Sequence, residues 1–243
     1  MAKKSKTQKT VLITGAARRI GKAMCFSFSS LGYNIALHYH HSQNDAKKLA
    51  ERIRQKGGIC QLFPCDLSQQ AQTDQLIQNV LKRFAGLDVL INNASIFVPS
   101  SLKSLDYTSL HRHFAINFQA PYILTSRFAR HCRKGNIINI LDTHIVNNAT
   151  RHAAYLLSKK ALHELTKLSA VALAPHIRVN AISPGLILPP VTEKSDYLDR
   201  RAQRIPLKQK GSVDQITQTV TFLLNNPYLT GEVIFVDGGE HLV

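Results

Sequence analysis

The 243-residue chain is 44% hydrophobic, enough to bury one sizeable core. Its formal net charge of +16, from 31 Lys and Arg against 15 Asp and Glu, is spread along the chain with no helix-turn-helix, zinc-finger or RNP-like pattern, which reads as a solvated basic surface and not a nucleic-acid interface. No apolar run approaches the ~18 residues of a membrane helix, and the start, MAKKSKTQKT, lacks the apolar stretch of a secretory signal, so a cytoplasmic protein with no membrane partner is expected.

Residues 1–9 read as a basic, flexible terminus. TVLIT (10–14) is a short β-branched run ending in glycine, the mark of a buried strand. Helical periodicity follows over about 20–31, then a strand at 33–39, a charged amphipathic helix at 44–56 and a strand at 59–63. The alternation continues with a helix at 69–84, a strand at 88–92, one long helix over about 106–132 and a strand at 136–141. A helix at 152–174, a strand at 177–182, a helix at 213–225 and a strand at 232–236 complete it. Strands and helices in strict alternation predict a single α/β domain over 10–243, a doubly wound parallel sheet of about seven strands with helices on both faces. The stretch 185–206 is too long for an ordinary connection, carries Pro189, Pro190 and Pro206, and follows a strand's carboxyl end; a substrate lid is expected there. Cys25, Cys60, Cys65 and Cys132 form no CxxC pair, so reduced thiols, no disulfide and no metal are expected.

TGAARRIG (14–21) falls between the first strand and first helix, where backbone N–H groups and the helix dipole favour a pyrophosphate. Gly15 permits the turn and Gly21 permits close packing of helix on strand, the Rossmann-type dinucleotide arrangement, with Arg18, Arg19 and Ile20 beside them. At the end of the second strand the chain reads HYHHS, with no acid to accept from ribose hydroxyls. His40, His41 and Ser42 can instead donate to a 2′-phosphate, which predicts NADPH. A metal site on His38, His40 and His41 would need a further ligand that the sequence does not suggest nearby.

Tyr155 and Lys159 stand four apart at the start of a long helix, on one face about 6 Å apart. A nearby ammonium favours the phenolate, so Lys159 is expected to lower the Tyr155 pKa and make its hydroxyl a proton donor near neutrality.

Together with TGAARRIG, NNAS (92–95), Asn117 and VDGG (236–239), this pair resembles the short-chain dehydrogenase/reductase family over nearly the whole chain. The resemblance implies adenine contacts from Asp66 and Leu67, and cofactor contacts from Asn93, Ala94, Ser95, Tyr155, Lys159, Pro184 and Gly185. It also implies a role for Asn117 in a proton relay to the lysine, and a homotetramer packed through the long helices. His111, His144 and His152 are read as structural.

Two positions depart from the family pattern. Arg19 replaces the middle glycine of TGxxxGxG, and Asp142 stands where most members carry serine. Both departures, with HYHHS and NNASIF, resemble the pteridine reductases and dihydromonapterin reductases. That resemblance implies a flat pterin or folate held by Arg19, Ser95, Phe97, Asp142, Tyr155 and Leu186; desolvation of the cleft is expected to let Asp142 and Tyr155 share a proton. A ketone reductase acting on an acyl carrier-protein thioester, and a non-catalytic NADPH or nucleic-acid-binding protein, are the alternatives.

Overall fold

The computed structural model describes residues 8–103, 106–148, 150–189 and 197–243. Seven strands form one sheet: β1 (Thr10–Ile13), β2 (Asn34–Tyr39), β3 (Cys60–Pro64), β4 (Val89–Asn92), β5 (Gly135–Ile140), β6 (Ile177–Pro184) and β7 (Val233–Val236). Between them run α1 (Arg19–Ser30), α2 (Gln43–Gln55), α3 (Gln70–Leu81), α4 (Tyr107–Phe114), α5 (Ala120–His131), α6 (Ala153–Leu173), α7 (Tyr197–Ala202) and α8 (Val213–Asn225). The strand order is β3-β2-β1-β4-β5-β6-β7, and every pairing is parallel. The expected doubly wound architecture is therefore present, with its switch point where β1 pairs with β2 on one side and β4 on the other.

The period-2 alternation of strand side chains divides the core into two layers. Val11, Ile13, Leu37 and Ile91 face one side with Met24 and Phe28 of α1, Leu49 and Ile53 of α2, and Ile216, Val220 and Leu223 of α8. Leu12, Ala36 and Leu90 face the other, with Leu76 and Ile77 of α3 and Leu124 and Phe128 of α5. Helices on both faces leave the sheet no solvated side, which is why the strands read as continuous apolar runs.

Three details differ from expectation. The long helix over 106–132 divides into α4 and α5 around a π-helical turn at Ala115–Gln119. Pro121, at the start of α5, has no N–H to return to the carbonyl of Asn117, so the regular ladder cannot run through this point. Lys9, placed in the flexible terminus, already accepts from Asn34 N–H at 2.8 Å; residues 1–7 lie outside the described residues. The stretch 185–206, where a lid is expected, contains a short helix, α7, that the sequence pattern did not suggest, while 190–196 lie outside the described residues.

No described helix is long and apolar enough to cross a membrane. All four cysteines are buried free thiols, and burial pushes Cys60 up to about 12 and Cys65 and Cys132 to about 11, far from a reactive thiolate. Phe128 is fully buried between α5 and the sheet. Phe128→Ala is expected to destabilise the fold by about 3–5 kcal/mol, measured as the shift of the urea unfolding midpoint at constant slope.

Candidate active site

A cleft of about 530 Å³ opens at the carboxyl ends of the strands. Its walls include all the expected cofactor residues: Gly15, Arg18, Arg19, Ile20, Gly21, His40, His41, Ser42, Asp66, Leu67, Asn93, Ala94, Ser95, Tyr155, Lys159, Pro184 and Gly185.

The turn after β1 is shaped by close contacts. Gly15 has φ +60°, and a Cβ there would lie 2.9 Å from Ala94 Cα; at Gly21 a Cβ would lie 2.5 Å from the Gly15 carbonyl oxygen. Glycine is the residue that fits both positions. Asn93 holds the turn from across the switch point, its Nδ2 donating to the carbonyls of Thr14 at 2.8 Å and Gly15 at 3.2 Å. The Thr14 hydroxyl oxygen accepts from the N–H groups of Asn93 and Ala94 at 2.9 and 3.0 Å.

The nitrogens of His38 are both committed. Gly15 N–H donates to its Nδ1 at 3.0 Å, so the proton must sit on Nε2, which donates to the Cys65 carbonyl at 3.0 Å. The ring ties the turn to β2 and to the end of β3, and is not available to a metal. Burial lowers its pKa to about 4, outweighing the Cys65 bond, so the ring is neutral at physiological pH.

At the end of β2 the rings of His40 and His41 lie against each other, tilted by 33° with centroids 3.6 Å apart, and His40 Nε2 lies 3.8 Å from Asp66. The two carboxylates nearby are engaged: Asp45 pairs with Arg18 at 2.6 Å, and Asp66 accepts from the Ser68 hydroxyl and N–H at 2.7 and 2.9 Å. The Gly15 close approach, the α1 N-terminus and the His40, His41 and Ser42 donors fit a dinucleotide with a 2′-phosphate.

Asp142 follows β5 and caps the 3₁₀ turn Thr143–Val146, accepting from His144 N–H at 2.8 Å. Its other oxygen accepts from the Tyr155 hydroxyl at 2.7 Å, and its carbonyl accepts from the Ser183 hydroxyl at 2.7 Å. The Lys159 ammonium donates to the Ile140 carbonyl at 2.7 Å and lies 5.8 Å from the Tyr155 ring centroid. The expected lowering of Tyr155 does not occur: burial and the Asp142 carboxylate push its hydroxyl well above its usual value. Lys159 is aimed at a carbonyl, whereas the acid touches the phenol directly. Burial brings Lys159 down to about 8 against the opposing pull of Asp142.

Asn117 is fully buried within the π-helical turn. Its side chain donates to the Ile96 carbonyl and Ser158 hydroxyl at 3.1 and 3.0 Å, and accepts from Ile96 N–H and the Ser95 hydroxyl at 3.0 and 3.2 Å. The side chain thus braces the 95–96 segment.

Among the expected substrate residues, Arg19, Ser95, Phe97, Asp142 and Tyr155 line the cleft, but Leu186 lines a neighbouring cavity with Leu207 and Phe235. Ile187 and Leu188 stand in the cleft wall instead. Leu186 was one residue out because 184–189 has no strand or helical period beyond Pro184 from which facing could be read. His152, read as structural, stacks on Phe97 with centroids 4.0 Å apart. Arg112 and Ile116 also reach the cleft unannounced, although their spacing of four on one helix face was a usable signal.

A parallel sheet with this turn at its switch point, and a Tyr155/Lys159 pair facing it, defines a nicotinamide-dependent oxidoreductase. Residues 15–241 match the family model described as Enoyl-(Acyl carrier protein) reductase. The chain is 30% identical over 243 residues, 96% of this chain and 99% of the relative, to the 3-oxoacyl-[acyl-carrier-protein] reductase FabG of Staphylococcus epidermidis. Among solved structures, FolM Alternative dihydrofolate reductase 1 from Brucella suis, in complex with NADP, superposes with a TM-score of 0.93 at 34% identity, covering 97% of this chain and 96% of that one. The Brucella canis counterpart, also complexed with NADP, gives a TM-score of 0.91 at 34% identity, with coverages of 97% and 95%. The chain belongs to the short-chain dehydrogenase/reductase family.

His38 supplies a test of this architecture. Its folded pKa of about 4 lies below the ordinary 6.5, so as pH falls through that window the unfolded chain takes up the proton first and stability is lost. Between pH 6.5 and 4 the wild type should lose about 3 kcal/mol more than His38→Gln, measured by urea unfolding across the pH series.

Proposed function

We propose that the chain is an NADPH-dependent pteridine reductase, taking a dihydropterin to its tetrahydro form with dihydrofolate in the same substrate class. One observation carries this reading: the Tyr155 hydroxyl is bonded at 2.7 Å to a carboxylate, Asp142, where most of the family has a neutral serine. A serine hydroxyl suits a ketone oxygen, whereas an acid beside the phenol suits protonation of a ring nitrogen. Arg19 in the phosphate turn and Phe97, both in the cleft wall, offer a planar cation and an aromatic face to a flat, acceptor-rich ring. The likeness to the two FolM structures supports the same substrate class and NADP as cofactor.

Bound along the cleft, the reduced nicotinamide supplies the hydride for a C=N carbon. This chain's residues then have to deliver a proton to the adjacent nitrogen. With Asp142 ionised, the Tyr155 hydroxyl is held well above its usual pKa and is a poor acid. The proton therefore comes from the coupled pair, with Tyr155 as the donor to the ring nitrogen and Asp142, which holds its hydroxyl, assisting. Lys159 stands behind the pair as a cation and, while protonated, balances the charge left there.

A ketone reductase remains the second reading, favoured by the 30% identity to a 3-oxoacyl-[acyl-carrier-protein] reductase. We also propose a cytoplasmic homotetramer with a substrate lid over 185–206; exposed Leu157, Leu168 and Val171 on α6 and Tyr122 on α5 supply apolar surface for subunit packing. Its partners on this reading are a pterin or folate and further copies of the chain, with no nucleic acid or membrane.

Purified enzyme given NADPH should oxidise it with dihydropterins or dihydrofolate and not with an acetoacetyl thioester; turnover of the thioester alone would establish the second reading. Asp142→Asn should lower kcat for the pterin by roughly 100-fold with NADPH affinity retained, and full activity in that variant would sink the role given to Asp142. The rate should also fall above pH 8, where Lys159, brought down to about 8, loses its charge. A pH–rate profile flat through that range would exclude a requirement for the ammonium.

A further inference from the structure

Phe97 lies in an irregular segment with one isolated bridge, Ser100 to His152, yet this segment is gripped at alternate residues. Ile96 is held at both its N–H and its carbonyl by Asn117, at 3.0 and 3.1 Å. Val98 N–H donates to His113 Nε2 at 3.3 Å. Ser100 donates to the Arg151 carbonyl at 3.2 Å, and its carbonyl and hydroxyl oxygens accept from Ala153 and Ala154 N–H at 3.3 and 3.0 Å. Those last two bonds satisfy first-turn N–H groups of α6, the helix that carries Tyr155 and Lys159. The segment bearing Phe97 and the catalytic helix are thereby fastened together.

Two histidines act at this point, one on the backbone beside Phe97 and one on its ring. His113 is fully buried; its Nδ1 lies 2.8 Å from the Ser109 carbonyl and so carries the proton, which leaves Nε2 as the acceptor for Val98. His152 stacks on the Phe97 ring at 4.0 Å with planes 24° apart, while Tyr155 meets the same ring edge-on at 4.7 Å and 85°. The His152 Nδ1 is buried without a hydrogen-bond partner among the described residues, so this ring acts through its face. Phe97 is nonetheless 51% exposed, because its remaining surface opens into the cleft.

We propose that His113 and His152 are positioning residues that hold Phe97 as a fixed stacking platform for a flat heterocyclic substrate, His113 through the neighbouring backbone and His152 through the ring. Neither histidine touches the reacting atoms. Their effect is to remove the freedom that an exposed Phe side chain would otherwise lose on binding substrate, and so to select planar rings over acyclic chains. The inference rests on the pterin reading and specifies how this site achieves it.

The test is steady-state kinetics of wild type, His152→Ala, His152→Phe and His113→Leu with NADPH and dihydrobiopterin, beside an acetoacetyl thioester and a direct titration of NADPH binding. His152→Ala and His113→Leu should raise KM for the pterin by roughly three- to tenfold, with kcat within about twofold and NADPH affinity unchanged, and His152→Phe should restore KM. His152 lies at the edge of α6, so His152→Ala alone decides the matter if His113→Leu does not fold. An unchanged pterin KM in His152→Ala, no rescue by His152→Phe, or an equal rise for the thioester would overturn the inference while the pterin reading stands. A wild-type enzyme that reduces no pterin would overturn both.

Discussion

The parallel pairing of β1 with β2 on one side and β4 on the other is the constraint from which the site follows. Connections leaving adjacent strands on opposite faces must part at the carboxyl edge, and a crevice opens there without any side chain being carved away. The sheet then brings together residues far apart in sequence. Asn93 reaches across the crevice to bond Thr14 and Gly15, and His38 bonds the same turn from the other neighbouring strand. A phosphate-binding turn fixed from both sides has its N–H groups oriented before any ligand arrives, so little reorganisation is left for binding.

The second organising fact is the removal of water from Tyr155 and Lys159. Burial disfavours a phenolate and an ammonium alike. Asp142 splits them: its negative charge reinforces the rise at Tyr155 and opposes the fall at Lys159. The outcome is a neutral phenol hydrogen-bonded to an acid, above a lysine that loses its charge only a little beyond neutrality. Each group's protonation depends on the others, so proton transfer here belongs to the cluster and to no single side chain.

Most of this was legible in the sequence because strand–helix alternation and the TGAARRIG turn are local signals. The Tyr155/Lys159 spacing, Asp142 thirteen residues upstream and the histidines after β2 all arrive where the pattern puts them. What was not legible depends on side chains meeting across the fold. The role of His38 requires knowing that β2 lies between β1 and β3. The sign of the Tyr155 shift requires knowing that the carboxylate, and not the ammonium, makes the direct contact. His152 looked idle because its partner is Phe97, more than fifty residues away in the chain. The π-helical turn was half legible: Pro121 announces a broken ladder four residues after Asn117, but no pattern says that the break will be a wider turn and not a helix end.

Arg19 shows how a local rule is broken where the site gains from it. Its backbone has φ +53°, a conformation that costs a side-chain-bearing residue about 1–2 kcal/mol and that glycine adopts freely. The guanidinium offsets part of that strain by donating to the carbonyls of Pro189 and Leu188 at 2.9 and 3.3 Å, linking the phosphate turn to the segment after β6. A guanidinium has five N–H donors, and those two bonds use two of them. Arg19 also lines the cleft, beside the turn that the cofactor phosphates are expected to meet. Glycine at this position would relax the turn and lose the connection. Arginine at this position thus exchanges a relaxed turn for a bonded connection to the segment that follows β6.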